Sequence, residues 1–159
     1  MILLSVGTQF PFDRLVRLVD DWAFAQGRTD VMAQVGPSKL HVRAVKPFGL
    51  VSPSEFRDLQ ASAQVTISHA GMGSILTALE CGKPIIVMPR DHQRGEHRND
   101  HQVATARKLE HTPGVYVAWD DAQLLDYLGR LHELAGATGA SAKAPEAFTL
   151  QLKSFIRTG

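Results

Sequence analysis

A glycine-rich segment, Ser68-His69-Ala70-Gly71-Met72-Gly73-Ser74, carries the strongest chemical signal in this chain. It lies between an apolar run that ends at Ile67 and a run of helical periodicity that continues to Cys81. Glycines let a ligand approach the backbone closely, and the N-terminus of the following helix carries roughly half a positive charge. The segment therefore indicates a site for the phosphates of a nucleotide or nucleotide-sugar, although the same spacing also serves tight turning and close packing.

A second glycine turn, Gly7-Thr8-Gln9, directly follows the first predicted strand. Gly7 permits a positive φ, and Thr8 offers a hydroxyl and an N–H group to a ligand. The alternative is a plain strand-to-helix turn in which Thr8 is a local cap. Glu80 lies in an otherwise apolar stretch, so its carboxylate either accepts hydrogen bonds from a sugar hydroxyl or lies on an exposed helix face.

The longest polar stretch, residues 90–102, follows the most apolar predicted strand and should overhang the same edge. His97 and His101 have the spacing of metal ligands on a helix, but neither a third ligand at a telling distance nor an HExxH pattern accompanies them. Asp100, His101 and Gln102 supply donors and acceptors in fixed directions, which suits a hydroxyl-rich sugar. The stretch predicts sugar contacts and no metal.

Composition excludes several classes of function. The formal net charge of +1 gives no electrostatic case for nucleic acid, and no apolar run reaches the ~20 residues that span a bilayer. Cys81 is the single cysteine, which excludes an internal disulfide and fits a reducing cytoplasm. The Gly-x-Ser-x-Gly, Walker and G-x-G-x-x-G motifs do not occur, so hydride transfer is disfavoured.

Strand-like and helix-like segments alternate along the chain, which predicts a doubly wound parallel α/β sheet. Ligands of such sheets lie in the crevice at the carboxyl ends of the strands. The predicted strands are residues 2–6, 30–35, 41–45, 65–68, 84–88 and 115–118, and the predicted helices begin near residues 12, 52, 74, 99 and 121.

Two parts are predicted along the chain. Residues 1–135 form the Rossmann-like domain that binds the nucleotide-sugar. Residues 136–159 form a link rich in Ala, Gly and Ser, followed by a short apolar helix near 148–156. Because this apolar segment follows a link predicted to be flexible, it is expected to dock on a partner protein. The alternative is that it packs on the sheet of its own domain.

As a set, these motifs resemble the C-terminal domain of glycosyltransferase family 28. The chain is most similar to short single-domain members: bacterial subunits of exopolysaccharide and capsule synthesis (PssE type) and the small cytosolic subunit of the eukaryotic two-part N-acetylglucosaminyltransferase acting on dolichol-linked sugar. The resemblance covers roughly residues 1–128 and rests on Gly7-Thr8 with Pro11-Phe12-Asp13-Arg14, the 68–74 turn, Glu80-x-Gly82-Lys83-Pro84, Met88-Pro89-Arg90, Glu96-His97 and Asp100-His101-Gln102.

The resemblance implies the donor-binding half of a GT-B fold and assigns roles to individual residues. Gly7, Thr8 and the 71–74 turn would hold the diphosphate, Glu80 the ribose, main chain near Phe48 and Leu50 the uracil, and His101 and Gln102 the sugar. The substrate-binding residues expected on this basis are Gly7, Thr8, Gln9, Phe48, Gly49, Leu50, His69, Gly71, Met72, Gly73, Ser74, Glu80, Arg90, His97, Asp100, His101 and Gln102.

The implied activity is transfer of a sugar from a UDP-sugar to a lipid-linked acceptor in polysaccharide or glycan synthesis. No acceptor-binding half is recognised in the chain, so a membrane-anchored partner subunit is expected to supply it. That partner is also expected to recruit this cytoplasmic chain to the inner face of the membrane. Transferase activity is then expected only when both subunits are present. Stabilisation of the leaving diphosphate by N–H groups needs no cofactor or metal. The alternatives are a non-catalytic nucleotide-sugar-binding module, a scaffold for the partner, and a Rossmann-like enzyme acting on another nucleotide.

Overall fold

The computed structural model describes residues 1–138, which form a six-stranded sheet flanked by helices. The strands are Ile2–Ser5 (β1), Val31–Gln34 (β2), Lys46–Pro47 (β3), Val65–His69 (β4), Ile85–Met88 (β5) and Val115–Val117 (β6). The α-helices are Asp13–Ala25 (α1), Pro53–Ser62 (α2), Met72–Glu80 (α3), His101–Leu109 (α4) and Asp121–Gly129 (α5), with short 3-10 turns at His92–Arg94 and Leu131–Glu133. None of the helices in this part of the chain is long and apolar enough to cross a bilayer.

The strand order is β3-β2-β1-β4-β5-β6, and each pair is parallel. The chain adds β2 and β3 on one side of β1 and then crosses over to add β4, β5 and β6 on the other side. At this crossover β1 pairs with β4, and Ser5 lies opposite Ser68. This is the switch point at which doubly wound sheets hold ligands. The predicted Rossmann-like fold is confirmed.

Side chains that alternate along the central strands fill two hydrophobic cores. In β5, Ile86 and Met88 pack on the face covered by α1 and α5, whereas Ile85 and Val87 pack on the face covered by α3 and α4. A sheet buried on both faces explains why β1 and β5 are almost continuously apolar.

Local signals set most helix boundaries. α2 has the predicted cap: Ser52 accepts the Glu55 N–H, and the Glu55 carboxylate accepts the Ser52 N–H. α3 begins at Met72 rather than near Ser74, because Gly71 is already the N-cap. Beyond its C-terminal end, Gly82 has a φ of +64°, which explains the predicted stop.

The predicted third strand, residues 41–45, is wrong. The carboxylate of Asp20, on α1, accepts the backbone N–H groups of Arg43, Ala44 and Val45 at 2.8–3.0 Å. Those N–H groups are thus turned toward a helix rather than toward a neighbouring strand. Pairing with β2 occurs only at Lys46–Pro47.

The chain after α5 returns to the sheet. Ala137 is buried, and a Cβ atom added to Gly136 would lie only 2.0 Å from the carbonyl oxygen of Gly82. The segment therefore packs closely on the end of α3 before residue 138. The rest of the predicted link and the predicted terminal helix near 148–156 lie outside the described residues, so the boundary at 135/136 stays a prediction.

Candidate functional site

A cavity of about 300 Å³ lies at the switch point, at the carboxyl ends of β1, β4 and β5. The turn after β1 contributes Val6, Gly7, Thr8, Gln9 and Phe10, β4 contributes His69, and the loop after β5 with the start of α4 contributes Arg90, His97 and Gln102. Two motifs that are remote in sequence, the glycine turn after β1 and the polar stretch after β5, thus share one concave surface.

The imidazole of His69 is held between the two glycine turns. A Cβ atom on Gly71 would lie 2.3 Å from His69 Nε2, and one on Gly7 would lie 3.1 Å from His69 Cε1. Gly7 also has a φ of +76°, a conformation that side chains disfavour. Both turns therefore depend on glycine for space around this ring.

Burial governs the charge of His69. Loss of solvent, followed by the nearby charge of Arg90, lowers the pKa of His69 to about 4. Nδ1 lies 3.4 Å from the carbonyl oxygen of Ser5, which fits an Nδ1–H donor. Near neutral pH the imidazole is therefore uncharged, and Arg90 supplies the positive charge beside it.

The depressed pKa of His69 predicts a loss of stability in acid. An unfolded histidine has a pKa of 6.5, so between pH 6.5 and about 4 the unfolded state binds a proton that the folded state does not. The free energy of unfolding should fall as pH falls through this window, by about 2 kcal/mol between pH 7 and 4.5 from this group. Urea unfolding of wild type and His69→Gln at both pH values measures it, and the variant should lose less stability in acid.

The matched control for this experiment is His111→Gln, since the side chain of His111 is 92% exposed. His111→Gln should keep the wild-type pH dependence. Equal pH dependence in all three proteins would contradict the assignment of a neutral, buried imidazole to His69.

Arg90 is a buried cation beneath the cavity, 2% exposed. Its guanidinium donates to the carbonyl oxygens of Val6 at 2.6 Å and Phe10 at 2.9 Å, and also to that of Pro11. Among the described residues, the hydrogen-bond partners of this guanidinium are all neutral carbonyl groups, and the carboxylate of Glu96 acts on it only through space. Arg90 therefore both fixes the turn after β1 and places positive charge next to it.

Gln102 joins the ends of β4 and β5. Its Oε1 accepts the N–H groups of Arg90 at 3.0 Å and Ala70 at 3.3 Å, which fixes the orientation of the amide because both partners are donors. The amide nitrogen has no hydrogen-bond acceptor among residues 1–138. It is the end of this side chain that can donate to a ligand.

The structure separates the residues of the 97–102 stretch. His97 lines the cavity with its ring edge-on to Phe10 at 5.9 Å, whereas Asp100 and His101 are exposed at the start of α4 and do not line it. Because His97 precedes the helix, His97 and His101 share no helical face. Within residues 1–138, no group of three or more potential ligand side chains is placed to hold a metal ion.

The N-terminus of α3 follows His69 directly. Gly71 is its N-cap, without a capping side chain, and the first-turn N–H groups of Met72, Gly73 and Ser74 have no acceptor within the helix. Glu80 lies at the opposite end of α3, about 12 Å along the axis. Its exposed carboxylate pairs with Arg57 of α2 rather than facing the cavity.

The predicted uracil-binding segment follows β3 at the same edge of the sheet. The N–H of Phe48 donates to the carbonyl oxygen of Ala33, which extends the ladder by one bond. Gly49 and Leu50 follow, and the Leu50 side chain is 82% exposed. These residues do not line the 300 Å³ cavity, but they lie on the β2 and β3 side of it.

A larger cavity of about 540 Å³ lies on the other side of the loop after β5. Four arginines line it (Arg14, Arg90, Arg94 and Arg107), together with Trp119 and three aspartates (Asp91, Asp100 and Asp120). The arginines attract an anion, but the aspartates repel one at short range, and no glycine is among the lining residues described. The smaller cavity is lined by the Gly7 turn and Arg90 without any Asp or Glu among its described lining residues, so it suits an anion better.

Sequence reasoning missed Phe10, Arg14 and Glu96. Phe10 lines the cavity, and Arg14 of α1 forms an ion pair with Glu96 in the loop after β5. Both Arg14 and Glu96 stand in the motifs that matched the family, but an ion pair between residues so distant in sequence leaves no local pattern. Phe10 was detectable as an aromatic residue next to a glycine turn.

Comparisons with known proteins agree with this geometry. The family model for the glycosyltransferase family 28 C-terminal domain matches residues 1–146. The UDP-N-acetylglucosamine transferase subunit ALG13 of Yarrowia lipolytica (strain CLIB 122 / E 150) is 29% identical, over 69% of this chain and 60% of its own length. The chain thus spans less than two thirds of that relative.

Solved structures with the same fold include small and large proteins. The NMR solution structure of ALG13 superposes with a TM-score of 0.61 at 20% identity, over 92% of this chain and 93% of its own. The glycotransferase of kitacinnamycin gives 0.62 at 19% identity over 96% of this chain and 38% of its own, and SnogD from Streptomyces nogalater gives 0.51 at 18% over 94% and 42%. In the two larger proteins, this fold is one part of the chain.

Three observations agree: the family model matches all of the described residues, the sheet is parallel and doubly wound, and a cavity lined by the Gly7 turn and His69 lies at its switch point. The chain belongs to glycosyltransferase family 28, as its C-terminal domain.

Proposed function

We propose that this chain binds the UDP-sugar donor of a two-component glycosyltransferase, with the diphosphate in the 300 Å³ cavity. The observation that carries the proposal is a cavity lined by the Gly7 turn, by His69 and by the buried cation of Arg90, with the N-cap of α3, Gly71, close to the His69 ring. Backbone N–H groups at a helix N-terminus form a binding site for anions. Arg90 adds a full charge in a poorly solvated position, where it acts strongly.

The reaction that fits this site is glycosyl transfer to an acceptor oxygen. The bond between the anomeric carbon and the diphosphate oxygen breaks, a bond to the acceptor oxygen forms, and UDP leaves with the electron pair. The acceptor proton goes to a base for which we assign no residue of this chain. The chain contributes stabilisation of the charge that develops on the departing diphosphate, through N–H groups that are already in place.

The other donor contacts are proposed from position. The amide nitrogen of Gln102 and the imidazole of His97, on the β5 side of the cavity, are assigned to the sugar, and the segment from Phe48 to Leu50, on the β3 side, is assigned to the base. Glu80 is proposed for the ribose on the family resemblance alone, because its carboxylate pairs with Arg57.

The acceptor and the partner are inferred from the relative. ALG13 is named as a subunit of a UDP-N-acetylglucosamine transferase. By analogy, a membrane-anchored second subunit supplies the lipid-linked acceptor and recruits this chain to the membrane, and residues 136–159 dock on it. Truncation after Gly139 tests the docking: the shortened chain should fold and bind UDP but no longer co-purify with its partner.

Calorimetry with UDP, ADP and GDP tests the donor assignment. UDP should bind with one site per chain and more tightly than ADP or GDP, and UDP-sugars should bind more tightly than UDP. Equal affinity for all three nucleotides, or no binding, would contradict the uridine donor. UDP binding without any sugar transfer, even with the partner present, would favour a non-catalytic binding module.

A further inference from the structure

Two loops form the walls of the 300 Å³ cavity. The first wall, residues 6–12, follows β1, and the second wall, residues 89–100, follows β5. The only regular structure that the described chain has in either is the short turn at His92–Arg94. Something other than the sheet must therefore set the distance between the walls.

A bidentate ion pair joins the second wall to Arg14, in the first turn of α1, which begins directly after the first wall. Arg14 Nε donates to Glu96 Oε1 at 2.7 Å, and Arg14 Nη2 donates to Glu96 Oε2 at 2.9 Å. Both side chains are mostly buried, at 16% and 13% exposed. This fork geometry fixes direction as well as distance.

Each partner of the pair is held in turn by a second contact. The N–H of Asp91 donates to Glu96 Oε2 at 2.8 Å, and Arg14 Nη1 donates to Asp121 at the start of α5 at 2.9 Å. Hydrogen bonding to Glu96, opposed by burial and aided by Asp121, raises the pKa of Arg14. The ion pair is therefore connected to the second wall through Glu96 and to α1 and α5 through Arg14.

Arg90 makes the opposite connection, from the second wall to the carbonyl groups of the first. The guanidinium groups of Arg14 and Arg90 both lie against the ring of Phe12, at 5.5 and 4.9 Å from its centroid. Across the mouth of the cavity, Phe10 of one wall meets His97 of the other. His97 is the residue after Glu96, so movement of Glu96 moves a residue that lines the cavity.

We propose that Arg14 and Glu96 are positioning residues that set the separation of the two walls and thereby the affinity for the donor. Neither lines the 300 Å³ cavity. The inference rests on the proposed function, since it concerns the same cavity. If the pair only stabilised the fold, its loss would lower the free energy of unfolding and leave the affinity of the folded protein unchanged.

A double-mutant cycle on the full-length chain tests this, with Glu96→Gln, Arg14→Gln and the double variant. UDP affinity is measured by calorimetry at a temperature where urea unfolding curves show every variant to be folded. Each single variant should bind UDP about tenfold more weakly, and the double variant no more weakly than the worse single one, because both changes break one connection. Hydrogen exchange should become faster at the amides of residues 89–100.

Asp30→Asn is the matched control, because Arg28 and Asp30 form a similar bidentate pair at 3.0 and 2.8 Å, at the opposite edge of the sheet. It should bind UDP like wild type. If the Glu96 and Arg14 variants bind UDP as tightly as wild type, or if their losses add in the double variant, the positioning role is overturned while the proposed function stands. If wild type itself binds no UDP, the proposed function fails and this inference fails with it.

Discussion

Gly71→Ala is expected to reduce UDP affinity by roughly tenfold to a hundredfold, since displacement of a binding group by about 1 Å can cost that much. The new Cβ atom would lie 2.3 Å from His69 Nε2. The ring has little room to move away, because its Cε1 is also close to Gly7 and its Nδ1 lies 3.4 Å from the carbonyl oxygen of Ser5. Either His69 or the N-terminus of α3 must shift, and both belong to the proposed diphosphate site. Overpacking should also lower the free energy of unfolding by about 1–3 kcal/mol.

Two further variants make this prediction specific. Gly129→Ala, in α5, introduces a Cβ atom with nothing within 4 Å and should change neither affinity nor stability much. The double variant His69→Ala/Gly71→Ala removes the ring that clashes and should recover stability relative to Gly71→Ala. Calorimetry and urea unfolding measure both. Unchanged UDP affinity in a folded Gly71→Ala protein would place the diphosphate elsewhere.

Arg90→Met is expected to cost about 3 kcal/mol or more in the free energy of unfolding, because it leaves several carbonyl groups of the first wall without donors. UDP affinity should also fall, since the buried charge beneath the cavity is lost. Arg90→Lys keeps the charge but cannot reach three carbonyl oxygens at once, so we expect a smaller loss of affinity and most of the loss of stability.

The control for Arg90 is Arg130→Met, which removes an exposed arginine whose ion pairs lie on the surface of α5. Exposed pairs of this kind contribute about 0–1 kcal/mol. Urea unfolding should therefore separate the two variants clearly. Similar, small losses in both would mean that the carbonyl groups of residues 6–11 do not depend on Arg90.

Much of the fold was predictable because its signals are local. Alternating apolar strands, the Ser52 and Glu55 capping box and the Gly82 stop each depend on neighbouring residues. The third strand was not predictable, because the N–H groups of residues 43–45 bind a carboxylate that comes more than 20 residues earlier, Asp20. No local pattern reports such a contact.

Some features of the candidate site could likewise be predicted from the sequence, whereas others depend on contacts between distant residues. Gly7, Gly71 and His69 could be placed at one edge from strand order alone; in the structure Gly7 and His69 line one cavity, and Gly71 is close to the His69 ring. The role of Arg90 beneath the first wall could not be foreseen, since its partners are main-chain atoms more than 75 residues away. The assignment of Glu80 to the ribose stays a prediction, because its observed partner is Arg57.

A crystal structure of the chain with UDP is the most direct test of where the donor binds. We expect the diphosphate in the 300 Å³ cavity, within hydrogen-bond distance of N–H groups in the first turn of α3 and in the turn at Gly7 and Thr8, with Arg90 directly beneath. A diphosphate bound instead in the 540 Å³ cavity beside Trp119 and Arg107 would contradict the proposed donor site.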